Sequence, residues 1–249
     1  MSTSAKVTAR QRIENLLDDN SFVEIGAYVK ARNTDFNIQA KDTPSDGVIT
    51  GYGVINGGLV YVYSQDASVL GGSVGEMHAK KIASLYDMAM KTGSPVIGLI
   101  DSTGLRLQES VDGLNAFGQI YMKQSLASGV IPTVTAIFGN CGGGLSIVAG
   151  LSDFTFMEVE NAQLFVNSPN AITENRKEIC DNASAKFQSE EAGNVDFVGT
   201  EAEVIEGIRN LVSVLPSNNE DEASDLECYD DLNRAAEGIE NCGEDTLLA

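Results

Sequence analysis

Residues 95–106 read Pro95-Val96-Ile97-Gly98-Leu99-Ile100-Asp101-Ser102-Thr103-Gly104-Leu105-Arg106. Val96, Ile97, Leu99 and Ile100 make a short uncharged apolar run, which predicts a buried strand, and Gly104 lies in the turn that ends it. Upstream, Ile82, Tyr86, Ala89 and Met90 recur at helical spacing, and Gly93 closes that helix. Downstream the order repeats. Leu114, Phe117, Ile120 and Tyr121 mark a helix, Ile131 to Phe138 a strand, and Gly139-Asn140-Cys141-Gly142-Gly143-Gly144-Leu145 a second glycine turn that opens another helix. Strand, turn and helix in alternation predict a layered α/β fold.

Further from this centre, Val48 to Tyr63 holds β-forming residues around Asn56-Gly57-Gly58, where Asn and Gly accept positive φ, so two strands meet in a hairpin there. Ile13, Leu16 and Leu17 give a short helix before an extended segment at Phe22, Val23 and Ile25. Residues 33–47 are polar and read as a surface loop. Phe154 to Met157 and Leu164 to Val166 add short strands, and Val204, Ile208, Leu211 and Leu215 form a helical stripe. Pro216-Ser217-Asn218-Asn219 marks a boundary. Residues 1–219 are expected to form one lobe, and 220–249, with eleven acidic residues against Arg234, a solvated acidic segment.

The 249 residues, 43% of them hydrophobic, suffice for one large core. A formal charge of −20 argues against nucleic acid or an anionic membrane surface as a general partner. Cys141, Cys180, Cys228 and Cys242 contain no C-x-x-C pair, and His78 is the only histidine, so no zinc set is read. The cysteines fit a reducing compartment, although Cys228 and Cys242 are close enough in sequence for a bridge. There is no charged and apolar leader and no run of about 18 apolar residues. The expectation is a soluble cytoplasmic protein without direct membrane insertion.

The two glycine turns are the candidate chemistry. Helix starts leave backbone N–H groups unpaired, and glycine lets a carbonyl approach them closely, so two such turns side by side would make an oxyanion hole. Glycine content alone fits tight helix packing or a phosphate site as well. There is no G-x-S-x-G elbow, a Ser-His-Asp triad would rest on His78 alone, and Gly142-Gly143-Gly144 leads into Leu145-Ser146 without a P-loop lysine.

Several linked motifs bear a resemblance. Ser64-Gln65-Asp66 with Gly71-Gly72-Ser73, His78-Ala79-Lys80-Lys81-Ile82, and Asp101-Ser102 with Arg106-Leu107-Gln108-Glu109 follow the patterns S-Q-D-x-x-x-x-G-G-S, H-A-x-K-I and D-S-G-G-A-R-x-Q-E. With Gly139-x-Cys141-x-Gly143-Gly144, Asp153-Phe154, Leu164-Phe165, Pro169, Leu215-Pro216-Ser217-Asn218-Asn219 and Asp230-Asp231-x-Asn233-Arg234, the sequence resembles the carboxyltransferase subunits of biotin-dependent acyl-CoA carboxylases and decarboxylases over nearly its whole length.

The resemblance implies a single crotonase-type lobe, a β-β-α superhelix, that holds the acyl-CoA. A second lobe holds carboxybiotin, carried on a separate protein, so the implied partners are that lobe and a biotin carrier in a homo- or hetero-oligomer. It places the thioester oxygen on backbone donors of Gly104 or Leu105 and of Gly143 or Gly144. It also implies CoA contacts at Arg10, Arg12, Gly71, Gly72, Lys80, Lys81 and Arg106, where Arg10, Arg12, Lys80 and Lys81 equally suit ordinary solvated surface charge and Arg106 a tie from the helix start to a carboxylate. Cys141 is expected to pack, His78 to lie on a surface-type helix or to pack, and Glu109 to be structural.

The chain departs from the pattern at Thr103 and Leu105, where the family has Gly and Ala, and its E-L-G-G stretch has no counterpart around Glu190-Glu191-Ala192-Gly193. Leu105 would narrow the acyl pocket or alter the turn. Two other readings are weighed: an enoyl-CoA hydratase or isomerase, which needs a pair of glutamates near the hole, and a non-catalytic acyl-CoA-binding subunit, which Thr103 and Leu105 would explain.

Overall fold

The computed structural model describes residues 7–33, 42–168 and 181–221, together with Asp231 and Asn233. After α1 (Ala9–Leu16) and β1 (Val23–Ile25), the hairpin β2 (Val48–Ile55) and β3 (Gly58–Gln65) leads to α2 (Glu76–Thr92) and β4 (Val96–Ile100). Then come α3 (Ser110–Ala127), β5 (Thr133–Ile137), β6 (Asn140–Gly142), α4 (Gly144–Gly150), β7 (Phe154–Glu158) and β8 (Gln163–Phe165). The described elements end with α5 (Ala185–Glu190), β9 (Phe197–Gly199) and α6 (Glu201–Val214).

Seven strands form one mixed sheet in the order β1-β2-β3-β4-β5-β7-β9, antiparallel up to β3 and parallel beyond it. β6 and β8 make a separate parallel pair. The units β5-β6-α4 and β7-β8-α5 show the expected β-β-α turn: one strand in the large sheet, one in the small sheet, then a helix.

Strand alternation explains why the large sheet is buried on both sides. Val96 and Ile100 enter a core with α2, α3 and α4, whereas Ile97 and Leu99 enter a second core with α1 and α6. β3 does the same, with Tyr61 and Tyr63 on the first side and Val60 and Val62 on the second. Gly98 stands directly across from Tyr63 in the β3–β4 register, and a Cβ there would overlap the Tyr63 hydroxyl and ring. The hairpin turns at Asn56 (φ 49°) and Gly57 (φ 87°), as their tolerance of positive φ implies.

Several expectations are corrected. Residues 34–41 of the expected loop lie outside the described residues, but Ser45, Asp46 and Gly47 are buried, because the Asp46 carboxylate accepts from the His78 N–H and from Arg106. Leu114 does not belong to the buried stripe of α3. It is 60% exposed, while Gly113, Ala116, Phe117 and Ile120 face the core. β6 and α5 were not anticipated: glycine-rich and polar stretches of three and six residues carry too little periodicity to show. At the expected boundary, Asn218 donates its side-chain amide to the Gly93 carbonyl that ends α2, and the Asn219 N–H goes to the Val130 carbonyl. Most of the acidic segment lies outside the described residues. No described helix is long and apolar enough to cross a membrane.

Gly98→Ala should lower unfolding free energy by about 1–3 kcal/mol, the usual cost of forcing an extra methyl into a filled core. Urea titration against the parent chain measures this directly, and an unchanged midpoint would mean that Tyr63 moves aside freely.

Candidate active site

The two glycine turns leave neighbouring parallel strands at the same sheet end, so topology brings them together. The Phe138 N–H donates to the Ile100 carbonyl at 2.9 Å, and the Ser102 N–H to the Asn140 carbonyl at 3.0 Å. Gly104, at φ 93°, then lies so near the second turn that a Cβ on it would sit 3.6 Å from the Gly142 carbonyl.

Local bonding decides which N–H groups remain available. Gly104 donates to the Ser102 hydroxyl at 3.1 Å. Its carbonyl accepts from the Val74 N–H at 2.8 Å, and the Arg106 N–H donates to the Val74 carbonyl at 2.9 Å, as in a parallel ladder. A trans peptide holds its C=O and N–H on opposite sides, so the Leu105 N–H points away from Val74. In the second turn, Gly143 extends the β6–β8 ladder by donating to the Phe165 carbonyl at 3.1 Å. Its backbone (φ 60°, ψ −125°) then reverses the chain into α4, and Gly144 is the first helical residue. Among the described residues, neither the Leu105 nor the Gly144 N–H has a protein acceptor. Of the four anticipated donors, Gly104 and Gly143 therefore shape the turns, while Leu105 and Gly144 keep free N–H groups.

The two bulky departures are accommodated. Thr103 packs over Gly71, where a Cβ would come within 2.9 Å of its side chain. Leu105 turns its side chain toward α3 at Gly113, where a Cβ would be 2.8 Å from Leu105 Cδ1.

The remaining anticipated contacts separate by burial. Gly71 and Gly72 support the first turn from behind: their carbonyls accept from the Thr103 N–H at 2.9 Å and the Ser102 hydroxyl at 2.6 Å. Arg12, 3% exposed, pairs with Asp101 and Glu201 and lies over the Phe138 ring. Lys81 is buried against the Ser45 and Val48 carbonyls, and burial lowers its pKa to about 8. Arg106 is buried among carboxylates. Committed inward, these three are not presented to a phosphate, so their expected CoA contacts are replaced by internal ones. Arg10 and Lys80 are half exposed, paired with Glu24 and Glu76. Arg32, which sequence reasoning passed over in a polar stretch, bridges Glu76 and Asp112 beside Lys80.

Among the described residues, His78, Cys141, Glu109 and Glu158 are all buried. His78 lies on a buried face of α2, not on a surface-type helix. Its Nδ1–H donates to the Asp46 carbonyl at 3.0 Å and its Nε2 accepts from Gln65 at 3.1 Å, an assignment consistent with a neutral ring. Burial, reinforced by the Arg106 charge, lowers its pKa to about 3. Burial likewise raises the Cys141 thiol to about 12. Glu109 accepts from the Glu76 N–H and from Arg106, and Glu158 from the N–H groups of Glu160 and Asn161. Among the described residues no cluster suits a metal ion.

The site is thus an α/β lobe in which, among the described residues, two unpaired backbone N–H groups lie on adjoining turns. The family is carried by comparison: the carboxyl transferase domain matches residues 2–246, so the chain belongs to that family. It is 44% identical over 234 residues to methylmalonyl-CoA decarboxylase subunit alpha of Propionigenium modestum, covering 92% of this chain and 45% of that protein. Over 233 residues it is 40% identical to the propionyl-CoA carboxylase beta chain of Roseobacter denitrificans, covering 92% and 46%. The transcarboxylase 12S structure with methylmalonyl-coenzyme A and methylmalonic acid bound superposes with a TM-score of 0.82 at 38% identity, covering 88% of this chain and 44% of that one. A Pseudomonas malonate decarboxylase hetero-tetramer in complex with malonate gives 0.72 at 26% identity, covering 84% and 81%. The chain spans about half the length of the curated relatives it matches, and its fold is the expected crotonase type.

Below about pH 6.5 the unfolded chain protonates His78, whereas the folded chain resists until about pH 3. This contribution to stability is complete above pH 6.5 and is lost as pH falls, at about 1.4 kcal/mol per pH unit. His78→Gln should flatten that part of the stability profile in denaturant titrations between pH 6.5 and 4; an identical slope would place the ring's proton elsewhere.

Proposed function

We propose that this chain is the acyl-CoA half of a biotin-dependent carboxyl transferase, with the N–H groups of Leu105 and Gly144 receiving the thioester oxygen. The observation that carries this is the Gly104–Leu105 peptide, whose carbonyl is tied to Val74 and whose N–H is thereby aimed away from it. Removing the acyl α-proton moves the electron pair toward the thioester oxygen, and fixed donors stabilise that charge without water having to reorganise. The chemistry biotin would supply is an exchange in which its nitrogen would release the carboxyl carbon to the α-carbon and take up the α-proton in its place, while Leu105 and Gly144 hold the thioester oxygen. Decarboxylation is the same sequence reversed. Biotin, borne by a carrier protein, supplies or accepts the carboxyl group, and a second carboxyltransferase lobe presents it, on this polypeptide or another.

This chain's residues bind and orient the thioester and leave the proton to the carboxyl carrier. That division is supported by Glu109 and Glu158 both being engaged with backbone N–H groups, which disfavours a hydratase's glutamate pair. Leu105 and Thr103 pack against Gly113 and Gly71, which supports the catalytic reading over a non-catalytic one. Among the exposed cations, Arg32 and Lys80 share Glu76 and are the best placed to exchange it for a CoA phosphate.

Gly143→Val tests the hole, because a β-branched residue resists the positive φ that aims the Gly144 N–H. In a complex reconstituted with the second lobe and the biotin carrier, transfer should fall by roughly two to three orders of magnitude, the range for a lost oxyanion donor. Acyl-CoA affinity, measured calorimetrically, should change much less. A folded variant with full transfer activity would sink the assignment.

A further inference from the structure

Behind the first donor lies a charge cluster that the proposed chemistry does not use. Arg106 follows Leu105, and its side chain is 5% exposed. Nη1 meets Asp46 Oδ1 at 2.6 Å and Glu109 Oε1 at 2.9 Å, Nη2 donates to the Ser73 carbonyl at 2.7 Å, and Nε donates to the Ser73 hydroxyl at 3.2 Å. Asp46 and Glu109 are as deeply buried, at 0% and 1%. Each carries the connection onward. Asp46 Oδ2 accepts from the His78 N–H at 2.8 Å, and Glu109 Oε2 from the Glu76 N–H at 2.6 Å, so both carboxylates grip the first turn of α2. Gly75 leaves the room this needs, since a Cβ on it would overlap Glu109 and crowd Arg106.

Stability alone does not account for such a cluster, because burying ions is costly and apolar packing of similar volume often does as well. Its position suggests another use. The Leu105 N–H is aimed by two bonds to Val74, one on each side of it. Ser73 precedes Val74 and Arg106 follows Leu105, so one guanidinium ties together both strands of the bridge that aims the donor. The planar fork suits this, as it fixes direction as well as charge.

We propose that Arg106 is a positioning residue, which fixes the direction of the Leu105 N–H by locking Ser73-Val74 to Gly104-Leu105 through its bonds to Ser73, with Asp46 and Glu109 holding the guanidinium in place. The inference rests on the carboxyl-transfer reading, in which that N–H is a donor to the thioester oxygen.

The test reads the carbonyl itself. A short acyl-CoA carrying ¹³C at the thioester carbon is bound to the full chain, and its C=O stretch is followed by isotope-edited infrared difference spectroscopy. The parent should lower the stretch relative to free thioester. Arg106→Lys, which keeps the charge and loses the fork, should return most of the shift, and Asp46→Asn part of it, with acyl-CoA affinity near the parent value. In the reconstituted complex Arg106→Lys should reduce transfer about 100-fold, the scale for a misplacement of about 1 Å. A parent without any lowering would refute the donor reading itself, and this inference with it. A lowered stretch in the parent that folded Arg106→Lys retains in full would overturn only the role of Arg106. If Arg106→Lys does not fold, Asp46→Asn decides by the same reading.

Discussion

A planar peptide cannot point its carbonyl and its N–H the same way, and at Gly104–Leu105 the carbonyl belongs to Val74. The geometry of the first turn follows from that bond. It requires residues 71–74 to run beside residues 102–106, which Gly71 and Gly72 permit through their positive φ and their closeness to Asp101 and Thr103. The Ser102 hydroxyl reinforces the same arrangement by linking the Gly72 carbonyl to the Gly104 N–H. A conformation this constrained fixes the direction of the Leu105 N–H, and in the proposed carboxyl-transfer reading a fixed donor stabilises charge without reorganisation.

The second donor is selected by competition. β6 and β8 need one more ladder bond, and the Gly143 N–H supplies it to Phe165. The following peptide therefore carries the free group. Here Tyr121 contributes from α3, donating to the Gly144 carbonyl at 2.7 Å and holding the start of α4 in place. Helix α3 thus serves both turns, with Gly113 leaving space for Leu105 at one end and Tyr121 reaching Gly144 further along.

Charge is divided sharply between inside and outside. The chain is strongly acidic, yet Arg12, Lys81 and Arg106 are spent internally on sheet, turn and helix contacts. Burial pushes the Asp46 carboxyl up while Arg106 draws it back down, so the cluster depends on the guanidinium being present. Among the described residues, the exposed cations Arg32 and Lys80 beside α2 and α3 are already paired with carboxylates, which any anionic ligand there would have to displace.

The sequence by itself determined the alternation of strands and helices, the hairpin at Asn56-Gly57, and the two glycine turns, because each rests on local periodicity or on φ angles that few residues accept. Linked motifs also marked the family, since many residues in register identify ancestry more securely than any one of them identifies a role. Tertiary structure decided the rest. Leu114 and Phe117 look alike along the chain, and only the packing of α2 against α3 exposes one and buries the other. Arg12, Lys81 and Arg106 resembled phosphate contacts until the fold enclosed them with partners as far away in sequence as Glu201. Which N–H of each turn stays free was equally hidden, because it depends on bonds to Val74 and Phe165, and a hydrogen bond between residues distant in sequence has no local signature.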